Sequence, residues 1–490
     1  MIRICLYILI AISLINIAFS QVENIPISNA VYKFLFKAES RGILENFSSS
    51  DLPLQKSEII KQLNLIKKNK HLLSENEQTS LELFCKEFGI TEINSLVLFS
   101  SKSDSNTIFD KRFFSEDEKL IFKYSDSSIS TKFEPLAESD FMFSNKENQS
   151  QNALIGHLGF RLSGSIDEHF GYNLQVTNGS LFFGERTLAM KDLKYGQNVK
   201  FSDLKNDVDI QESQVAYQNG WFYASIGRES RLIGSGLNQR LIASANSPSF
   251  DAISVAAKFD GFEYKFSQFS LMALHEEFYG YNAGSFLKVP SKFMAFHRFS
   301  LRPSWGEIGF WESVIYSERG IDVAYLNPLS FFKSLEHSLR DRDNSAMGLD
   351  WTIRPINNIQ LKGTYFLDDI IFSEVGNGFW SNKAAFNIAL NVVLPYSLDF
   401  GFEYARVEPY TFSHFNVQNS VTNDGRLIGS YLMPNSHSFF SELNYWYGGR
   451  YPINLSVRYI ESGKNVYDED GQLILNVGSD PLQTIRYGDA

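Results

Sequence analysis

Two groups of residues in this sequence have the types and spacing that polar recognition needs. Arg228, Glu229, Arg231, Asn238 and Arg240 cluster ahead of Asn246. Arg340, Asp341, Arg342, Asp343 and Asn344 form a dense run close to Trp351. Guanidinium, carboxylate and amide groups make paired hydrogen bonds to vicinal hydroxyls, and an aromatic ring stacks on the apolar face of a sugar. Both groups are candidate polysaccharide contacts. The second suits a solvated loop or an internal brace at least as well. Arg298, Glu312 and Arg354, together with Arg228, are expected to project into a barrel lumen and pair there.

Catalytic chemistry finds no comparable support. The eight His are scattered, with no ligand pair at helical spacing. No Gly-rich phosphate loop follows a strand and opens a helix. The expectation is a non-enzymatic chain with no catalytic residue, metal or cofactor.

The elements that must position these residues come from one long run, 129–487, in which apolar and polar residues alternate. In 384–394, Phe386, Ile388, Leu390 and Val392 share one face, and Asn387, Ala389 and Asn391 the other. In 398–407, Leu398, Phe400, Phe402 and Tyr404 oppose Asp399, Gly401, Glu403 and Ala405. Side chains alternate sides along a strand, so each strand has a greasy and a wet face. Wet faces rich in Asn, Asp, Glu and Gly suit a lumen whose outer wall meets lipid.

The expected strand pairs are 154–163 with 170–177, 210–218 with 221–228, 253–259 with 262–271, and 293–302 with 307–316. Further pairs are 347–354 with 359–367, 384–394 with 398–407, and 438–447 with 453–460, with 131–143 before and 482–487 after. Gln268 reads as a bulge, and Trp311 and Glu312 disturb the alternation of their strand. Asn219-Gly220, Asp260-Gly261, Asn357-Asn358 and Gly448-Gly449 suit tight turns. Long loops alternate with them, which is the loop sorting of an outer-membrane barrel. The fold expected is mainly β: a transmembrane antiparallel barrel of about sixteen to eighteen strands with a small N-terminal periplasmic helical region.

The chain has 490 residues, a net charge of -11, 43 Phe and 23 Tyr. Mild acidity argues against a nucleic-acid partner. Arg3, the apolar stretch 4–14 and Ala18-Phe19-Ser20 read as an export signal over 1–20. Cys5 lies within it, so Cys85 is the one mature cysteine and no internal disulfide forms. Residues 21–99 carry helical spacing: Val31, Phe34, Leu35 and Ala38 before Gly42, then a helix capped by Ser57, then a capping box from Ser74 to Glu77. Residues 100–128 read as a linker, and 129–490 as the barrel.

Several motifs in this barrel region resemble the capsule-assembly Wzi family of outer-membrane proteins. They are Gly227-Arg228-Glu229, the Gly234/Gly236 pair, Ser244/Asn246/Pro248, Glu312/Ile315/Tyr316, and Tyr325/Asn327/Pro328/Leu329. The resemblance covers about residue 129 to the end. It implies an eighteen-stranded barrel in the bacterial outer membrane that binds surface polysaccharide and helps attach it to the cell. The implied partners are extracellular polysaccharide, outer-membrane lipid and, through the helical head, periplasmic export machinery, with the protein acting as a monomer. An outer-membrane porin or uptake channel is the alternative. The sequence departs from the family at Leu232-Ile233, where Trp is often found, and its last residues lack a terminal aromatic, so the barrel's C-terminal end reads as incomplete or differently closed.

Overall fold

The computed structural model describes residues 21–91, 95–97, 118–274 and 290–483, apart from 127, 147–148, 168, 197, 199–200, 202–205, 370–372 and 374–381. The export signal and residues 100–117 of the expected linker lie outside the described residues.

Sixteen strands form one antiparallel sheet in sequential order. They are β1 (Phe122–Ser125), β2 (Ile129–Lys146), β3 (Gln149–Ile166), β4 (Phe170–Gly184), β5 (Asp207–Asn219), β6 (Phe222–Glu229), β7 (Phe250–Phe259) and β8 (Phe262–Met272). Next come β9 (Ser291–Leu301), β10 (Gly306–Ser317), β11 (Asn344–Ile356), β12 (Ile359–Asp369), β13 (Lys383–Val393), β14 (Leu398–Val407), β15 (Ser436–Tyr447) and β16 (Tyr451–Ser462). The edges, β1 and β16, do not pair with each other. Leu482 and Gln483 lie in a turn rather than in the expected last strand, and 484–490 fall outside the described residues.

Register confirms the alternation. Leu349↔Tyr365, Ile388↔Tyr404 and Phe402↔Ser441 are opposed pairs on the outward face. Leu158, Val215, Ile226, Ile253, Leu349 and Ile388 are exposed there and form an apolar band. Gln268 is not a bulge: Ile253↔Gln268 and Gln268↔Ala295 continue the ladder without a shift.

The helical head consists of α1 (Val31–Ser40), α2 (Lys56–Lys68) and α3 (Glu75–Glu87). Val31, Phe34, Leu35 and Ala38 pack with Ile59, Leu63, Ile66, Leu81, Phe84 and Cys85. The Ser74–Glu77 capping box forms, a feature worth about 1 kcal/mol. Ser57 caps nothing; it lies in the first turn of α2, whose N-cap is Gln55 with no side-chain bond. The head docks at the short-turn rim. Phe84 meets Trp446 edge-on at 6.0 Å, and the Ser80 hydroxyl donates to the Gly449 carbonyl at 2.7 Å.

The lumen is packed, which the expectation of a wet interior did not foresee. Segments 21–55 enter from the short-turn rim. The described residues of 185–206, with segments 230–249 and 408–435, fold inward from the long-loop rim. The two plugs meet where Asp51–Leu52 pairs antiparallel with Leu232–Ile233. Around that meeting point Arg298 binds Asp350 at 2.6 Å and Glu307 at 3.2 Å, and Arg302 joins Glu307 at 3.3 Å to Glu263 at 2.7 Å. Ser48 of the head donates to both Glu307 oxygens at 2.9 Å, and Lys265 holds Asp51 at 2.9 Å. Removing one member of a buried ion pair leaves its partner desolvated and unpaired.

Arg298→Met should therefore lower stability by about 3–5 kcal/mol, read from urea unfolding in detergent. A loss well under 1 kcal/mol would show that the lattice does not hold the plug. In the head, burial pushes the Glu77 carboxyl up, but Lys37, the Ser74 N–H and Arg41 outweigh it and hold it below its ordinary 4.5. A depressed acid contributes stability above its unfolded pKa and loses it as pH falls through the folded value. The stability gap between the native chain and Glu77→Gln should be full at neutral pH and close as pH falls below 4.5. A gap independent of pH would refute this.

Candidate functional site

The lumen is layered, and most of the residues singled out from the sequence lie within it. Nearest the short-turn rim is the charged lattice containing Arg298. Arg354 faces inward beside it, donating to the carbonyls of Glu39 at 3.1 Å and Ser304 at 2.6 Å. The middle layer holds the turn at 234–240. Glu403 accepts the backbone N–H groups of Leu237 at 2.8 Å, Asn238 at 3.3 Å and Gln239 at 2.8 Å. Asn387 and Thr364 each donate to the Ser235 carbonyl at 2.9 Å. Gly234 has φ +100°, and a Cβ on Gly236 would sit 2.1 Å from the Gln239 carbonyl oxygen. The turn thus needs glycine at both places, once for conformation and once for space.

The upper layer is apolar. Leu241, Ile242 and Phe250 pack with Phe269, Phe296, Trp311 and Phe366 of the wall and with Phe412, Ile428 and Leu432 of the cap segment 408–435. Ser244 donates to the Gly429 carbonyl at 2.6 Å, and Asn246 to those of Leu427 and Ser430 at 2.9 Å. The Ser-x-Asn-x-Pro motif therefore stitches one inward segment to another.

The first residue group is mostly internal. Glu229 accepts from Asn24 at 2.9 Å; Arg231 is buried beside Glu229 and over the Phe269 ring; Arg240 is buried and donates to the Ser49 carbonyl at 2.9 Å. Asn238 accepts from Arg458. Arg228 departs from the lumen expectation. Strand parity turns it to the outer wall, where it pairs with Asp251 at 2.6 Å.

Glu312 departs too. Glu307 and Trp311 face inward, so Glu312 faces outward with Ile308 and Phe310. It is nevertheless buried, bonded to His297 at 2.9 Å.

The second group sits at the long-loop rim. Arg340, Asp341 and Arg342 are exposed. Asp343 is buried, held by Arg319 at 2.7 Å and Tyr325 at 2.8 Å. Trp351 does not join them: it lies further along β11 on the outer wall, beside Gly363. Asn419 donates to the Arg342 carbonyl at 3.1 Å, so the charged run borders the cap segment. That segment exposes the Phe415 ring, while burial pushes its His414 down to about 4, against an opposing hydrogen bond at Asn416 and with a smaller push from Lys383. Arg340 and Arg342 thus both stand at the surface, Arg342 with one guanidinium nitrogen already on Asp322 at 3.1 Å, and an aromatic face lies on the same segment as their neighbour Asn419.

Sequence reasoning missed the cap segment as a folded unit. Its signal was present: Asp424-Gly425, both at positive φ, turns a short hairpin of Thr422–Asn423 with Arg426–Leu427. Glu336, His337 and Asp341 approach one another closely enough to share a cation, but Glu336 is already engaged by Lys333 at 3.0 Å and by Ser345.

Cavities left between head and wall measure about 190, 240 and 360 Å³ and are lined by head residues on one side. With charged, polar and apolar layers in series, the purified protein should show no stepwise ion conductance in planar bilayers. Porin-like steps would contradict the occlusion.

With that geometry, the chain can be set beside known proteins. A family model described as capsule assembly protein Wzi matches residues 120–484. Curated proteins yield no match. Among solved structures, the chain is similar to Wzi of Escherichia coli, described as an outer-membrane protein involved in group 1 capsule assembly and a carbohydrate-binding β-barrel. Identity is 13%, coverage is 90% of this chain and 86% of that one, and the TM-score is 0.55, which shows a shared fold. OmpF of Salmonella typhi aligns at 9% identity over 73% of this chain and 97% of its own, with a TM-score of 0.38.

Proposed function

The chain belongs to the capsule-assembly Wzi family and is an outer-membrane β-barrel, and from that premise we propose that it holds capsular polysaccharide at the cell surface without catalysing its turnover. The short-turn rim with the helical head faces the periplasm, and the long-loop rim faces outward. The observation that carries this reading is the packed lumen. A polymer that cannot enter a barrel plugged from both rims has to be held on its outer surface. The carbohydrate binding described for the Escherichia coli protein supports the same ligand class here.

Arg340, Asp341 and Arg342 are the contact residues proposed, because they alone of the two groups combine exposure with a place on the long-loop rim. Glu229, Arg231 and Arg240 act behind that surface, fixing the segments that support it. Hydrogen bonds to charged groups contribute about 1.5–3 kcal/mol each.

Deleting the gene should move polysaccharide from the cell-bound to the shed fraction, and restoring it should reverse this. Arg340→Ala combined with Arg342→Ala should weaken binding of purified polysaccharide about tenfold or more while leaving folding intact. Unchanged retention on deletion would sink the proposal as a whole. Unchanged affinity in the double variant would sink only the residue assignment.

A further inference from the structure

Segment 318–343 is the one described long-loop excursion that folds down the outside of the barrel, and its placement follows from register. Phe266, Ala295, Val314 and Tyr316 all point outward, yet each is buried, packed with Tyr325 and Phe332 of this segment. His297 and Glu312, also outward, lie beneath it. The Phe332 ring stacks on the His297 ring with centroids 4.5 Å apart, and the Phe332 N–H donates to Glu312 Oε2 at 3.1 Å. The Tyr264 hydroxyl donates to the Pro328 carbonyl, and Gln268 donates to the Tyr316 hydroxyl at 3.1 Å. The base of the flap is pinned at the rim by Arg319 with Asp343 at 2.7 Å and Arg342 with Asp322 at 3.1 Å.

Two faces of the flap therefore meet different surroundings. The inner face satisfies polar groups that would otherwise confront hydrocarbon. The outer face is apolar over 321–331: Leu329 is 85% exposed and Val323 78%, with Ile321, Leu326 and Phe331 exposed beside them. Asn327, the one exposed amide there, has its Oδ1 occupied by the Leu329 N–H at 3.1 Å. Polar exposed residues return only along the helix α4 (Phe332–Ser338), at Ser334, His337 and Ser338, as the chain climbs back to the rim.

The geometry points to a lipid-embedded flap: residues 321–331 lie in the outer leaflet and bind its acyl chains through Val323, Leu326, Leu329 and Phe331. Continuity identifies the occupant, because the flap rests on strands β8–β11, whose outward Phe299, Ile308, Phe310 and Leu349 already belong to the apolar band. It also unites two motifs noted in the sequence, with Glu312 and Tyr316 supplying the wall and Tyr325 and Pro328 the flap that covers them. This inference rests on the membrane-spanning fold and not on polysaccharide binding.

Leu329→Cys and Phe331→Cys, each combined with Cys85→Ser, carry a nitroxide into proteoliposomes made with outer-membrane lipid. Collision with molecular oxygen is compared with collision with a water-soluble nickel chelate. Ile388→Cys, in the apolar band on β13 and clear of the flap, is the lipid reference. Asp470→Cys, in an exposed turn, is the water reference. Heat-modifiable migration confirms that each variant is folded. Both flap sites should give an oxygen-to-nickel ratio nearer that of the Ile388 site. A ratio nearer that of the Asp470 site at either position overturns the proposal.

Discussion

A single guanidinium, kept out of water, organises this molecule. Arg298 on β9 reaches Asp350 on β11 and Glu307 on β10, and Glu307 in turn receives Ser48 from the helical head. Burying such ions is costly, and only complete pairing offsets the cost. The wall strands and the entering N-terminal segment are thereby bound to one arrangement, since moving any member strands the others. The short pairing of Asp51–Leu52 with Leu232–Ile233 then carries that constraint to the segment descending from the opposite rim.

The alternation of side chains made the wall legible. Phe386, Ile388, Leu390 and Val392 fall outward as their spacing requires, and Asn387 and Ala389 inward. What a two-residue period cannot report is the identity of the medium on each side. Asn387 and Glu403 look the same in sequence whether they meet water or the backbone of an inserted turn. Likewise Glu312, Gln268 and Arg228 look misplaced on an outer wall until a covering segment or a paired carboxylate is seen. The head was readable for local reasons, its capping box and apolar stripes lying within a few residues of each other. The plug was not, because its contacts join residues far apart in the chain.

The same distinction separates the two groups of polar residues read as sugar contacts. Glu229, Arg231 and Arg240 have the chemistry for hydroxyl recognition, but each is bonded to a carboxylate, amide or carbonyl inside the lumen. Residue type is a statement about capacity, and the partners found in the fold decide whether the capacity is already used. Arg340 keeps its capacity, at a turn of positive φ that includes Asp341, while the exposed Arg342 spends part of its own on Asp322.

The reach of the helical head has a temporal meaning. The Ser40 hydroxyl donates to Gln360 at 2.9 Å, and Ser80 to a carbonyl on the β15–β16 turn. The head is thus seated by residues 320 and 369 positions further along the chain. Long sequence separation slows such closures. The amino-terminal helices therefore cannot take their final seat until β12 and the β15–β16 hairpin are in place to receive them.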